Sequence, residues 1–225
     1  MKSKAIKSFT SLFLTLALAF TTGVIAFASN NSWNVGENEE NNVVAYIKDH
    51  TLYIEGNGRM DSYATDNLDA KTKSSVYKVV ISYGVTNVGD YAFEDFTNLE
   101  NVNITVGVRE IGKGAFSGCR ALQVIDLPPT VEKIGNNAFE DCDKIMSIQL
   151  PASLKEISDK AFNRCYGLKY ITLNSMPKIS QYAFSMLCAT VFVPSSCFDE
   201  TFDTSELNSN PIYKFGGDSI RYIVF

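Results

Sequence analysis

A single histidine, His50, has to serve any imidazole chemistry in this chain of 225 residues. A Ser-His or Cys-His nucleophile would depend on that one ring. It falls in "KDHT", a predicted hairpin turn, where a solvent-exposed residue fits better than a catalytic one. Basic charge is also scarce: 20 Lys and Arg stand against 25 Asp and Glu, net −5. Nucleic-acid binders cluster cations, and adsorption to anionic lipid needs them too, so the balance argues against both partner classes. After Phe27 no apolar run is long enough to cross a bilayer. No phosphate-cradling glycine loop, HExxH or GxSxG occurs. Acids such as Glu94, Asp95, Asp141 and Asp143 read as solvated turn residues rather than glycosidase carboxylates. Nothing points to an enzyme, a cofactor or a metal.

What is present begins with a leader. Lys2, Lys4 and Lys7 precede an apolar run from Phe9 to Phe27, and "AFA" at Ala26–Ala28 is a small-x-small cleavage site. Residues 1–28 read as a secretory signal peptide cleaved after Ala28, giving a product that is secreted or associated with the cell surface. Losing its three lysines takes the net charge from −5 to about −8. "SNNSWNVGENEENN" at 29–42 is polar and acidic and reads as a disordered spacer. The remaining chain can bury about 70% of its unfolded surface, so it needs no disulfides to hold a core.

The dominant feature is internal repetition. Ala-Phe pairs fall at 92–93, 115–116, 138–139, 161–162 and 183–184, a period of 23 with one step of 22. Three residues after each of the first four Phe come Phe96, Cys119, Cys142 and Cys165, and six after come Leu99, Leu122, Ile145 and Leu168. Alternating pairs follow at Val102/Ile104, Ile125/Leu127, Ile148/Leu150 and Ile171/Leu173, extended outward by Val79/Ile81 and Val191/Val193. Each pair reads as a short strand with one face buried. The turns after them, "LPPT" and "LPAS" among them, cannot continue a ladder and swing the chain away.

Gly89, Gly112, Gly135, Ser158 and Ser180 lie three residues before each Ala, where Gly or Ser can start a helical turn that carries Ala-Phe inward. One strand per 23-residue coil predicts an α/β repeat solenoid with a parallel sheet on one side and short helical turns on the other. No coil closes its own apolar face, so stability comes from stacking, and the ends need caps. "VVAYIKDHTLYIEG" predicts a β-hairpin turned at Asp49–His50, within an N-terminal cap over 43–75 whose residues 56–75 are irregular. The repeats occupy 76–194. "IYKFGGDSIRYIVF" predicts two short strands in a C-terminal cap over 195–225.

Cys119, Cys142 and Cys165 recur one coil apart and form a column. Buried thiols, one disulfide within the column and a metal site are the three possible readings. Phe96 on the same rung favours apolar packing. Equivalent side chains point the same way rather than toward one another, and zinc sites need converging Cys pairs. Cys188 and Cys197 lie off the pattern and make the better disulfide candidates in an oxidising compartment.

"IGKGAFSGCRALQVIDLP" at Ile111–Pro128 and its neighbours resemble the BspA-like leucine-rich repeats of bacterial secreted and cell-surface proteins. "HTLYIEGNGRMDSYA" resembles the entry segment before such arrays. The resemblance covers about Val43 to Pro194. It implies a right-handed coil with a concave parallel sheet, and a role in binding or adhesion. Residues flanking the inward pairs are then expected on the concave surface: Asn101, Asn103, Val124, Asp126, Ser147, Gln149, Tyr170, Thr172 and Phe192, with Lys78 and Val80 beside them. Amides, hydroxyls and aromatic rings suit a protein or glycan ligand. A monomer is expected. A competing reading makes the solenoid a spacer, or a unit that self-associates through its ends.

Overall fold

The structure is a computed structural model, and it describes residues 32–38, 40–197 and 221–224. The leader expected at 1–28 lies outside the described residues. The chain opens with β1 (Trp33–Asn34), β2 (Asn42–Lys48) and β3 (Thr51–Asn57), paired antiparallel in that order. The β2–β3 turn is Asp49–His50, with φ of 48° and 61°, the left-handed pair that a two-residue hairpin requires. A single helical turn, α1 (Ala70–Ser74), follows, with Asp69 accepting from the Thr72 N–H at its N-cap.

Two ladders then alternate along the chain. Long strands are β4 (Lys78–Ile81), β6 (Asn101–Ile104), β8 (Val124–Asp126), β10 (Ser147–Leu150), β12 (Tyr170–Leu173) and β14 (Thr190–Val193). Short ones are β5 (Asn87–Val88), β7 (Glu110–Ile111), β9 (Lys133–Ile134), β11 (Glu156–Ile157) and β13 (Lys178–Ile179). β15 (Arg221–Val224) pairs parallel with β14. The other strand expected in the C-terminal cap lies outside the described residues. Pairing is parallel and one coil apart, so Val79, Val102 and Ile125 line up, as do Ile111, Ile134 and Ile157. The chain is thus a parallel β-solenoid with two ladders. Among the described residues no helix is long and apolar enough to cross a membrane.

The core follows the repeat. Phe93, Phe116, Phe139, Phe162 and Phe184 are fully buried, and successive rings stack with centroids 5.3, 5.5, 5.1 and 5.6 Å apart. That spacing is the offset-stacked geometry that aromatic quadrupoles favour. Alanine at the preceding position is buried in every coil.

The segments carrying Ala-Phe are not helical. Tyr91, Gly114, Asn137 and Lys160 precede Ala with φ of 55–58°, and Asp95, Gly118, Asp141 and Arg164 lie two past Phe with φ of 58–75°. Left-handed residues at those intervals cannot belong to a right-handed helix. They turn alternate amides toward the next coil: Phe93, Phe116, Phe139 and Phe162 each donate to the following coil's Ala carbonyl at 2.8 Å. The Ala amides instead close local turns, as Ala115 does to the Gly112 carbonyl at 3.3 Å. Stacking satisfies these donors, where a helix would have satisfied them internally.

Two further segments differ from expectation. Within 29–42, Trp33 and Asn34 pair with Ala45 and Val44, Val35 is buried, and the Trp33 indole donates to the Ala64 carbonyl at 3.2 Å. Hence a composition suited to disorder still supplies an edge strand and two core anchors. Residues 56–66 form a degenerate coil: Tyr63 has φ 57°, stacks on Tyr91 at 4.9 Å, and donates its amide to the Asp90 carbonyl.

The long-strand ladder is interrupted once. β4, β6 and β8 continue the hairpin's sheet, whereas β10, β12, β14 and β15 form a separate one, while the short strands run unbroken from β5 to β13. The break separates the two coils whose strands run into proline. Thr105 donates to the preceding coil's Ile81 carbonyl at 3.0 Å, but the equivalent position on the β10 side of the break is Pro151, which has no N–H to give to the β8 coil.

Candidate functional site

The outward residues of the long strands form two rows, because side chains two apart share a face and register repeats each coil. One row holds Lys78, Asn101 and Val124, and the other Val80, Asn103 and Asp126. Past the break, Ser147 aligns with Tyr170 and Thr190, and Gln149 with Thr172 and Phe192. Asn101, Asn103, Asp126, Ser147 and Gln149 are exposed, Val124 and Tyr170 are half exposed, and Thr172 and Phe192 are partly covered.

The structure gathers the expected residues into two groups. Asn101, Asn103, Val124 and Asp126 surround a depression of about 410 Å³ with Lys78 at its margin and Val102 as floor. That volume lies in the range of small-ligand sites, roughly 300–1,000 Å³. Beyond the break, Tyr170 and Phe192 meet at 6.2 Å with their rings tilted 40°, and Ser147, Gln149 and Thr172 lie on the hydroxyl- and amide-bearing strip beside them.

Sequence reasoning missed the extension of this face onto the hairpin. Tyr53 is in register with Val80, and Tyr46 with Tyr53. The two rings stack at 4.9 Å and 12°. Burial and the hydrogen bond that the Tyr46 hydroxyl gives to Glu55 push its pKa up to about 12. The signal was available: Ala45, Leu52 and Ile54 are the inward residues of the hairpin, so their alternates Tyr46 and Tyr53 point outward with the rows.

Charge is sorted between the two ladders. From β4 to β14 the long-strand face carries only Lys78 and Asp126, of opposite sign. The short-strand side carries ion pairs that step from coil to coil: Glu110–Lys133 at 3.5 Å, Arg109–Glu132 at 2.9 Å and Lys155–Glu132 at 2.5 Å. Arg164 adds a bidentate pair with Asp141. The Lys155 ammonium, then Arg109, holds the Glu132 carboxyl below its ordinary value.

The cysteine column proves to be polar as well as apolar. Cys119, Cys142 and Cys165 are buried and free, and each thiol lies 3.2, 3.2 and 2.8 Å from the Phe carbonyl of the preceding coil. Burial pushes the Cys119 and Cys142 thiols well above the usual range. Phe96, on the first rung, instead packs edge-on to Phe93 at 5.9 Å beneath the Lys73 ammonium of α1. Cys188 is exposed and free; the side chain of Cys197 lies outside the described residues. His50 sits in the hairpin turn, exposed, with Nδ1 2.8 Å from the Ser75 carbonyl.

A BspA type Leucine rich repeat region, in 6 copies, matches residues 70–191. No curated protein matches the chain. Among solved structures, the T. pallidum Leucine Rich Repeat protein is similar at 20% identity and a TM-score of 0.55, over 78% of this chain and 95% of that one. A leucine-rich repeat protein from Eubacterium ventriosum aligns at 22% identity and a TM-score of 0.51, covering 67% of this chain and 46% of that one. One from Bacteroides ovatus gives 24%, 0.50, 70% and 49% in the same order. The chain therefore spans about half the length of the last two proteins. At these identities the likeness is one of fold.

Proposed function

The chain belongs to the BspA-type leucine-rich repeat family, and from that premise we propose a secreted or surface-held recognition module that binds a protein or glycan through the exposed face of its long-strand sheet. The observation that carries this is the sorting of side chains between the two ladders. Residues the repeat fixes are buried. The short-strand side spends its polar groups on neighbouring coils, as in the Arg109–Glu132–Lys155 chain. The long-strand face leaves Asn101, Asn103, Asp126, Ser147 and Gln149 open to solvent around a depression and two aromatic clusters. The repeat fixes the buried positions, and this strip is an exposed one whose residues it leaves free to vary. Export is supported by the three lysines, the apolar run and the small-x-small site of the sequence at 1–28. No residue set on the face has the nucleophile, base and orienting partner that catalysis requires.

The test is a triple substitution, Asn103→Ala, Gln149→Ala and Tyr170→Ala, on side chains outside the core. Labelled protein is titrated onto intact epithelial and bacterial cells and read by flow cytometry. Loss of binding by about tenfold or more, with an unchanged melting temperature, is expected. Undiminished binding by the folded triple variant refutes use of this face.

A further inference from the structure

The geometry points to a neutral, extended oligosaccharide as the occupant of the long-strand face, lying across the strands between the Tyr46–Tyr53 stack and the Tyr170–Phe192 pair. This rests on the proposal that the face is the binding face, and adds the class of ligand.

Size comes first. The strip is two outward residues wide, and the walk from β3 to β14 crosses six strand spacings. At about 4.8 Å per spacing and about 6.7 Å between outward residues, it measures about 30 by 10 Å, or about 300 Å² in plan. Even doubled for side-chain relief, that falls short of the roughly 800 Å² per partner of a standard protein interface. A single extended chain fits where a globular surface does not. An extended peptide gains its main-chain hydrogen bonds at a sheet edge, whereas this is a sheet face whose strands are paired on either side of one interruption.

Between the two aromatic clusters Lys78 and Asp126 cancel, and Glu55 at one end is held by the Tyr46 hydroxyl, so neither a polyanion nor a polycation is matched. Asn101, Asn103 and Gln149 each offer a donor and an acceptor on one planar group. That is the complement of a hydroxyl, which is both at once. Tyr46 and Tyr53 stand on adjacent strands with parallel rings 4.9 Å apart, a separation equal to the strand spacing, about 4.8 Å. The rings therefore stack along the row. Tyr46 covers one face of Tyr53, and the other looks toward Val80, the smaller residue next in register. A pyranose standing above Val80 would set its C–H face against the electron-rich ring. Its hydroxyls would reach Asn103, and the chain would continue over the depression between Asn101 and Asp126.

The experiment is isothermal titration of the protein with cellohexaose, laminarihexaose, mannohexaose and xylohexaose, and with a heparin-derived hexasaccharide as polyanion probe. At least one neutral hexasaccharide is expected to bind, and Tyr53→Ala and Tyr170→Ala each to weaken it about tenfold. Tyr170→Phe, which keeps the ring, should retain binding within about threefold. Both tyrosines lie outside the core, so unchanged melting temperatures certify the variants. Absence of binding across the neutral panel, binding indifferent to both alanine variants, or preference for the heparin fragment overturns the assignment. If the triple variant loses cell binding while neutral hexasaccharides neither bind nor compete, the face still recognises something, and carbohydrate is the part that is wrong.

Discussion

The Cys142 thiol lies 3.2 Å from the Phe116 carbonyl one coil back. Its rung is therefore a hydrogen bond between coils as well as a packing position. The same carbonyl also accepts the Cys119 amide at 3.2 Å, so losing the thiol does not orphan it. Cys142→Val exchanges the thiol for a slightly larger isopropyl group and should cost about 1 kcal/mol. Cys142→Ala adds a void and should cost roughly 1–3 kcal/mol. Cys142→Phe, which copies the Phe96 rung, should cost at least as much through overpacking, because Phe96 sits at the column's end, beneath Lys73, while Cys142 has Cys119 and Cys165 on either side. Urea midpoints at constant m separate the three.

The column also predicts a response to alkali. The Cys119 and Cys142 thiols ordinarily titrate at 9.0 and are raised by burial. Below that pH both folded and unfolded chains hold these protons, and stability does not change. Above it the unfolded chain releases protons that the folded chain keeps, so stability falls as pH rises, by about 1.4 kcal/mol per pH unit per thiol. Tyr46, raised from 10.0 to about 12, acts in the same direction at higher pH. Thermal melts at pH 7, 9 and 10 should fall progressively, and Cys119→Val with Cys142→Val should flatten the decline. At pH 8 iodoacetamide should modify Cys188 in the native protein and reach the column only in urea, as peptide mass mapping would show.

How far the fold is legible follows from what repeats. Val102, Ile125, Ile148 and Ile171 recur at one period and are all buried, so periodicity alone places the strands and the inward face. The backbone between them is not written that way. Tyr91, Gly114, Asn137 and Lys160 share a left-handed φ but no residue type, and Gly or Ser three before Ala suggests a helix start equally well. The choice was made by donors satisfied between coils, which a single coil does not contain. Tyr53 was hidden for another reason: it follows Leu52 at strand spacing, yet lies outside the period.

That backbone makes a prediction of opposite signs at its two kinds of left-handed position. Gly118 has φ 75°, and a Cβ there would stand 2.3 Å from Asp95 Oδ1. Gly118→Ala should therefore destabilise by about 1–3 kcal/mol. Lys160 holds φ 56° with a full side chain and carries the left-handed penalty. Lys160→Gly relieves it at some cost in chain entropy, and should leave stability unchanged or raise it by up to about 1 kcal/mol. Helical turns would reverse the second result, since Gly in a helix costs up to about 1 kcal/mol.

The phenylalanine stack should reveal how energy is divided along the solenoid. Phe139 touches Phe116 at 5.5 Å and Phe162 at 5.1 Å, whereas among the described rings Phe184 meets only Phe162, at 5.6 Å and 27°. Phe139→Ala removes a fully buried ring from two interfaces and should cost about 3–5 kcal/mol. Because coils contact only their neighbours, the loss falls at the middle of the array. The coils on either side should then unfold in two separable steps, broadening the urea transition. Phe184→Ala weakens one described interface and should cost less. Hydrogen exchange would distinguish the two variants. Phe184→Ala should deprotect the β12–β14 coils while β4–β8 stay protected, and Phe139→Ala should deprotect the amides on both sides of β9 and β11. Uniform loss of protection in both would mean that the array folds as one cooperative unit, and nearest-neighbour stacking would then be the wrong account of its stability.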